Sequence, residues 1–151
     1  MPATLLDRIL HLPPAWRRRA AQHCETIWLL GAGRYTIEVA GSRHEQDHLQ
    51  SLLADHPAEH ASRVLVASIR PGWNEERQRE MVYVAAGGGT LGYCPSHLST
   101  RLTEWLRQWQ LEEAEVWCSV RLYRGRLCGE KAGPIMAYLD IDQPFRMKTV
   151  S

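Results

Sequence analysis

Two short stretches of this chain match patterns that carry chemistry. His44-Glu45-Gln46-Asp47-His48 fits His-Glu-x-x-His. On a helix, that spacing sets two imidazoles on one face, beside a glutamate able to activate a metal-bound water, as in a zinc hydrolase. Gly87-Gly-Gly89-Thr-Leu-Gly92 fits Gly-x-Gly-x-x-Gly after a strand-like run, as a dinucleotide-binding loop would. Neither pattern keeps its context. Gln46 and Asp47 stand where a metallopeptidase helix is apolar, and burying an aspartate there is costly. Pro57 interrupts any regular spacing to His56, Glu59 or His60 as a third ligand. A dinucleotide loop must open a helix whose N-terminus meets the pyrophosphate, whereas Leu91-Gly-Tyr-Cys94 reads as strand. The expectation is therefore a polar first helical turn around His44 and a glycine turn between two antiparallel strands. No Ser-His-Asp set, Cys-His set or paired carboxylates stand out. The chain is expected to be no enzyme and to hold no metal or cofactor, with a zinc hydrolase as the last of three readings.

Binding is the better-supported chemistry. A single-stranded nucleic acid needs aromatic faces for its bases and cations along its backbone. Trp117, Arg121 and Tyr123 fall on one side of an alternating stretch, with Arg124 and Arg126 just beyond. Arg43, His44, Arg70, Trp73 and Tyr93 form a second candidate set near strand ends. The alternative for Trp117 and Tyr123 is packing beneath a helix or beneath the N-terminal segment. Six Trp and five Tyr against one Phe favour aromatics with a polar tip, suited to half-buried positions. The 18 basic and 17 acidic residues leave a net charge of +1 over 151 residues. That length suits one domain, and the balance gives no global pull toward nucleic acid, so any such site must be local. Arg17-Arg18-Arg19 reads as a solvated helix face. Cys24, Cys94, Cys118 and Cys128 form no Cys-x-x-Cys pair, so reduced thiols and a cytoplasmic location are expected. The start lacks the pattern of a signal peptide, and no run reaches the roughly 18 apolar residues of a membrane span.

The elements that must position these groups follow from periodicity. Leu5, Leu6, Ile9, Leu10 and Leu12 suggest a short helix stopped by Pro13-Pro14, so residues 1–24 read as a helical appendage and 25–151 as the main domain. Strands are expected at Thr26–Leu30, Tyr35–Val39, Arg63–Ile69, Met81–Ala85, Thr90–Cys94, Ala114–Tyr123 and Ile135–Ile141. A helix is expected from His44 to Asp55, and Pro71-Gly72-Trp73-Asn74 reads as the start of a polar loop. Ser96 is a candidate cap for an amphipathic helix whose inner stripe is Leu98, Leu102, Trp105, Leu106 and Trp109. Strands outnumber helices and short turns join them. This predicts an α+β domain, mostly an antiparallel barrel or sheet with one or two packed helices.

The run Val82-Tyr-Val-Ala-Ala-Gly-Gly-Gly-Thr-Leu-Gly-Tyr-Cys-Pro-Ser-His-Leu resembles the heart of the HIRAN domain, where a strand and glycine turn lead to Val-Gly-Tyr/His-Leu-Pro and a helix. Val39-Ala-Gly-Ser-Arg43-His44 is similar to the start of that module in bacterial members. Val64–Pro71 resembles its next strand, and Ala137–Phe145 a closing strand. The likeness spans about residues 35–145. Where the family usually reads Asn-Pro-Tyr-Asp-x-Asn-Ala, this chain has Asn74-Glu-Glu-Arg-Gln-Arg-Glu-Met81, without the Tyr-Asp pair. Ser96 stands near the place of a lysine in DNA-end binders. The resemblance implies a small antiparallel β-barrel, akin to OB and SH3 folds, that binds DNA without chemistry alongside a nuclease or helicase. It also implies that His44 and Glu45 line a DNA groove. The second reading is a protein-interaction module on the same scaffold, docking or dimerising through the N-terminal helix, with no membrane partner.

Overall fold

The alternation in residues 114–123 sets the centre of the fold. Val116, Cys118, Val120 and Leu122 are all buried, at 2% exposure or less, while Trp117, Ser119, Arg121 and Tyr123 face outward. These residues form a ten-residue strand at the middle of the sheet. The structure, a computed structural model, describes residues 26–53, 61–125 and 133–150. The expected appendage, residues 1–24, lies outside them, as do Cys24, Arg126, Cys128 and the spare ligand candidates His56, Glu59 and His60.

The strands are β1 (Thr26–Leu29), β2 (Ile37–Glu38), β3 (Ser62–Asn74), β4 (Arg79–Ala86), β5 (Gly89–Tyr93), β6 (Glu115–Arg124), β7 (Ile135–Asp140) and β8 (Met147–Val150). Helix α1 spans Gln46–Leu52 after a 3-10 turn at Ser42–Glu45, and α2 spans Ser96–Gln108. The strands make one sheet in the order β2-β7-β6-β3-β4-β5. The first half of β6 turns instead to β1, in parallel, and β1 carries β8 on its far side. All other pairings are antiparallel. The sheet curls until its ends meet. Ala40, just past β2, exchanges two backbone hydrogen bonds with Tyr93 of β5, at 2.8 and 2.9 Å. The fold is thus mostly antiparallel, barrel-like and of α+β class. Its core runs from Ile27 and Leu29 through Ile69, Val84 and Val120 to Leu139, capped by Leu49 of α1, by Leu53 just past its end, and by Leu98, Leu102 and Leu106 of α2.

Several local expectations differ from what forms. Pro71 does not open a loop; β3 runs on to Asn74, paired with β4 from Ser68↔Ala85 to Asn74↔Arg79. The last rung to β6 is Ile69↔Val116. Pro71 therefore lies where β3 has one neighbour only, and a residue without an N–H is tolerated there. The Tyr35–Val39 strand shrinks to two residues, because Tyr35 takes a left-handed φ of 49° and Asp140 accepts from the amides of Gly33 and Arg34 at 3.0 and 3.2 Å. Ser96 does not cap α2; Pro95 holds the capping position, and the Ser96 hydroxyl accepts from Arg79 at 3.1 Å. Trp105 packs at a tilt against Phe145, with ring centroids 5.5 Å apart, but Trp109, at the end of the same stripe, is 53% exposed. The helix ends one residue before it, so the stripe has no further turn to press it inward. Arg124 ends β6 instead of turning out, is buried, and donates to Gln50 Oε1 and to the Gly133 carbonyl.

Candidate nucleic-acid interface

Register brings most of the second candidate set together. Arg70 of β3 lies opposite Tyr83 of β4, and Tyr83 lies opposite Tyr93 of β5, so the three side chains form a row on one face. The row continues across the closing bridge from Tyr93 to Ala40. Next comes Gly41, at φ 75°, where a Cβ would stand 2.5 Å from the Tyr93 ring. Only glycine combines that φ with that closeness. The chain then turns into the 3-10 segment that carries Arg43 and His44, both exposed. Trp73 is exposed too, but alternation along β3 puts it on the other face of the hairpin from Arg70.

The turn between β3 and β4 supplies groups that single-residue reading missed. Arg77 donates to the Tyr93 hydroxyl at 2.8 Å, and its guanidinium carbon lies 5.1 Å from the Tyr93 ring centroid, within cation–π range. Asn74 fixes that turn: its Oδ1 accepts from the Arg77 amide at 2.8 Å, and its Nδ2 donates to the Tyr83 hydroxyl at 3.1 Å. Arg79 follows at the start of β4. The signal was the charged run Arg77-Gln-Arg79, but only the hairpin register shows that it folds back over Tyr93.

The β6 row stands on the outer face as its alternation requires, yet the protein itself engages much of it. Arg121 lies 4.6 Å from the ring centroid of Tyr35, whose hydroxyl is 2.7 Å from Ser119 Oγ. Tyr123 is half-buried between Ser62 of β3 and Met136 of β7. Trp117 lies beside Trp28 of β1. Together with Arg70 it lines an open groove of about 600 Å³ whose other charged groups are Glu112, Glu113 and Glu115. Three carboxylates repel phosphate, so the charge around Trp117 opposes nucleic acid.

The two decoy motifs meet each other. His48 Nε2–H donates to the Ala86 carbonyl at 2.7 Å, and a Cβ at Gly89 would stand 2.7 Å from the same imidazole. Gly87 and Gly88, with φ of 60° and 83°, form the two-residue hairpin turn that joins β4 to β5. His44 sits in the 3-10 turn and His48 in α1, with a break in the backbone at Glu45 (φ −114°, ψ 17°), so one regular helical face does not carry both. Among the described residues, no three His, Cys, Asp or Glu side chains gather as a metal site would need. Cys94 and Cys118 are buried free thiols. Burial pushes the Cys94 thiol up to about 12, and it raises Cys118 as well, with smaller contributions from Cys94 and Asp140. Among the described residues, no helix is long and apolar enough to cross a membrane.

No family profile, curated protein or solved structure matches this chain.

Proposed function

We propose that this chain is a non-catalytic, HIRAN-like module, with a barrel of OB type, that binds single-stranded DNA or DNA ends across the Tyr93 side of its sheet. The supporting observation is the convergence on Tyr93. One aromatic face is framed by Arg77 at 5.1 Å, with Arg70 two strands away on the same face. Arg43 and His44 follow directly from the glycine packed on its ring. That is an aromatic ring with a guanidinium over it and further cations nearby, the pairing of stacking surface and charge that a single strand needs. Arg77 and Asn74 come from the turn in which the family's Tyr-Asp pair is missing, so this turn still faces the groove with other chemistry. Such a module would work beside a nuclease or helicase in the cytoplasm.

Binding of a labelled single-stranded oligonucleotide, with free or blocked ends, followed by fluorescence anisotropy over a salt series, tests this reading. A groove binder loses affinity as salt rises, because neutralised phosphates release counterions. Absence of binding at low salt to every oligonucleotide would end it. The second reading, a protein-binding module on the same scaffold, draws on a different observation: Val64 and Val66 are 50% and 51% exposed on the outer face of β3, beside the acidic groove.

A further inference from the structure

We infer that Tyr83 is a second stacking face, and that the site takes two consecutive unpaired bases, one on Tyr83 and one on Tyr93. This rests on the single-strand reading above and adds to it a residue, a footprint and a class of ligand.

Register makes the two rings neighbours. Tyr83 of β4 lies directly opposite Tyr93 of β5, so both side chains leave the same face of the sheet. Both are partly exposed. Arg70 lies opposite Tyr83 on the other flank of β4 and is exposed. A base on Tyr83 therefore has a cation beside it on β3, as a base on Tyr93 has Arg77.

Each ring packs against a glycine. A Cβ at Gly72 would stand 3.2 Å from Tyr83 Cε2 and 3.3 Å from Cδ2, and one at Gly41 would stand 2.5 Å from Tyr93 Cε1. Gly72 has no left-handed φ that would call for glycine, so its missing side chain serves the Tyr83 ring. The hydroxyls are tied to one turn. Asn74 Nδ2 donates to the Tyr83 hydroxyl at 3.1 Å, Asn74 Oδ1 accepts from the Arg77 amide at 2.8 Å, and Arg77 donates to the Tyr93 hydroxyl at 2.8 Å. These contacts hold each ring by an edge and by its hydroxyl, the parts that a stacked base does not use. A ring already held in place loses less freedom when a base settles on it.

Spacing decides the class of ligand. The two tyrosines stand on strands about 4.8 Å apart. Their rings then lean in opposite directions, Tyr83 toward Gly72 on β3 and Tyr93 toward Gly41 beyond β5. Successive bases stacked in a strand are only about 3.4 Å apart. Two bases thus reach both rings only by unstacking from each other, which a flexible single strand does and a duplex does not.

Oligonucleotides of equal length and equal phosphate number, abasic except at one thymine or at two adjacent thymines, test this by fluorescence anisotropy at low salt. With charge held constant, the second thymine should tighten binding to the parent protein roughly five- to 150-fold, the worth of one stacked base. Tyr83→Ala should abolish that gain and still bind the one-thymine strand near the parent level, through Tyr93. Tyr83→Phe, which keeps the ring, should retain the gain. Thermal midpoints show that each variant is folded, and the comparison of one thymine with two in the parent protein needs no variant. In the parent, a gain no larger than the statistical factor of offering one face two bases overturns the second face and leaves Tyr93 in place. So does a full gain in folded Tyr83→Ala. Failure to bind either strand, or an all-thymine strand of the same length, overturns the single-strand reading itself and this inference with it.

Discussion

Tyr93→Ala and Arg77→Ala separate stacking from charge at the same spot, and their effects on DNA binding differ in kind. Three exposed arginines, Arg43, Arg70 and Arg77, belong to the proposed site around Tyr93. If each neutralises one phosphate of a single strand, log K falls with log salt at a slope of about −0.7 per contact, or about −2 in all. Raising salt from about 50 to about 200 mM then weakens the parent protein about twentyfold. Arg77→Ala removes one contact, so the slope drops to about −1.4 and the same salt change costs only about sevenfold. Tyr93→Ala removes a stacking face worth about 1–3 kcal/mol, a loss of roughly five- to 150-fold that is the same at every salt concentration. Tyr93→Phe deletes the hydroxyl that accepts from Arg77 at 2.8 Å but keeps the ring, and it should bind close to the parent level. Anisotropy titrations at four salt concentrations give slope and intercept for each variant, with thermal midpoints as a folding control. An Arg77→Ala slope equal to the parent's, or a Tyr93→Ala variant whose only change is in slope, would refute the assignment of these roles.

Other outcomes bear on the scaffold. Gly92 has φ 146° and faces the Ala40 carbonyl; Gly92→Ala should cost at least about 2–4 kcal/mol from backbone strain and overpacking, read as a lower urea midpoint. His48→Ala should cost about 0.5–1.5 kcal/mol by removing the hydrogen bond to the Ala86 carbonyl, and should leave zinc content unchanged after growth in zinc; stoichiometric zinc in the parent that the variant loses would restore the hydrolase reading. The Cys94 thiol, raised from 9.0 to about 12 in the folded chain, contributes stability that is complete below pH 9. That contribution is lost as pH rises toward 12, because the unfolded chain ionises first. Cys94→Ala should make stability fall less steeply between those pH values, with Cys118 still contributing to the fall, and an unchanged slope in urea melts would contradict the burial argument.

The sequence made legible those parts of the fold whose pattern is local. The alternation of β6, the leucine stripe of α2 and the glycine hairpin at Gly87-Gly88 each depend on neighbours a few residues away, and each forms as read. What escaped depends on partners far along the chain. Pro71 looks like a strand end until β6 is seen to stop at Ile69. Tyr35 alternates like a strand residue until its ring and hydroxyl are seen held by Arg121 and Ser119. Arg70 and Tyr93 share one face because β3, β4 and β5 pair in a register that no residue announces, and Arg43 and His44 follow in the chain from the bridge between Ala40 and Tyr93. Arg77 was hidden for the same reason. Trp73 was misleading because β3 continues through it, and three residues of alternation from Arg70 put it on the opposite face.

The position of Tyr93 also explains why the site and the closure of the sheet cannot vary independently. Its backbone makes both hydrogen bonds to Ala40, its ring fills the space left by the missing Cβ of Gly41, and its hydroxyl holds Arg77. The 3-10 turn with Arg43 and His44 starts from that glycine. Any change that opens the bridge therefore moves these two residues away from Arg77 and Arg70, which hang on the β3–β4 hairpin. The arginines then act as separate charges on two loose edges. Gly41→Ala meets this point directly, since it strains the backbone and displaces the ring together. It should lower the thermal midpoint and the oligonucleotide affinity in step, whereas Arg77→Ala should lower affinity alone. Affinity retained in a Gly41→Ala protein of reduced stability would mean that the strand binds elsewhere on the surface.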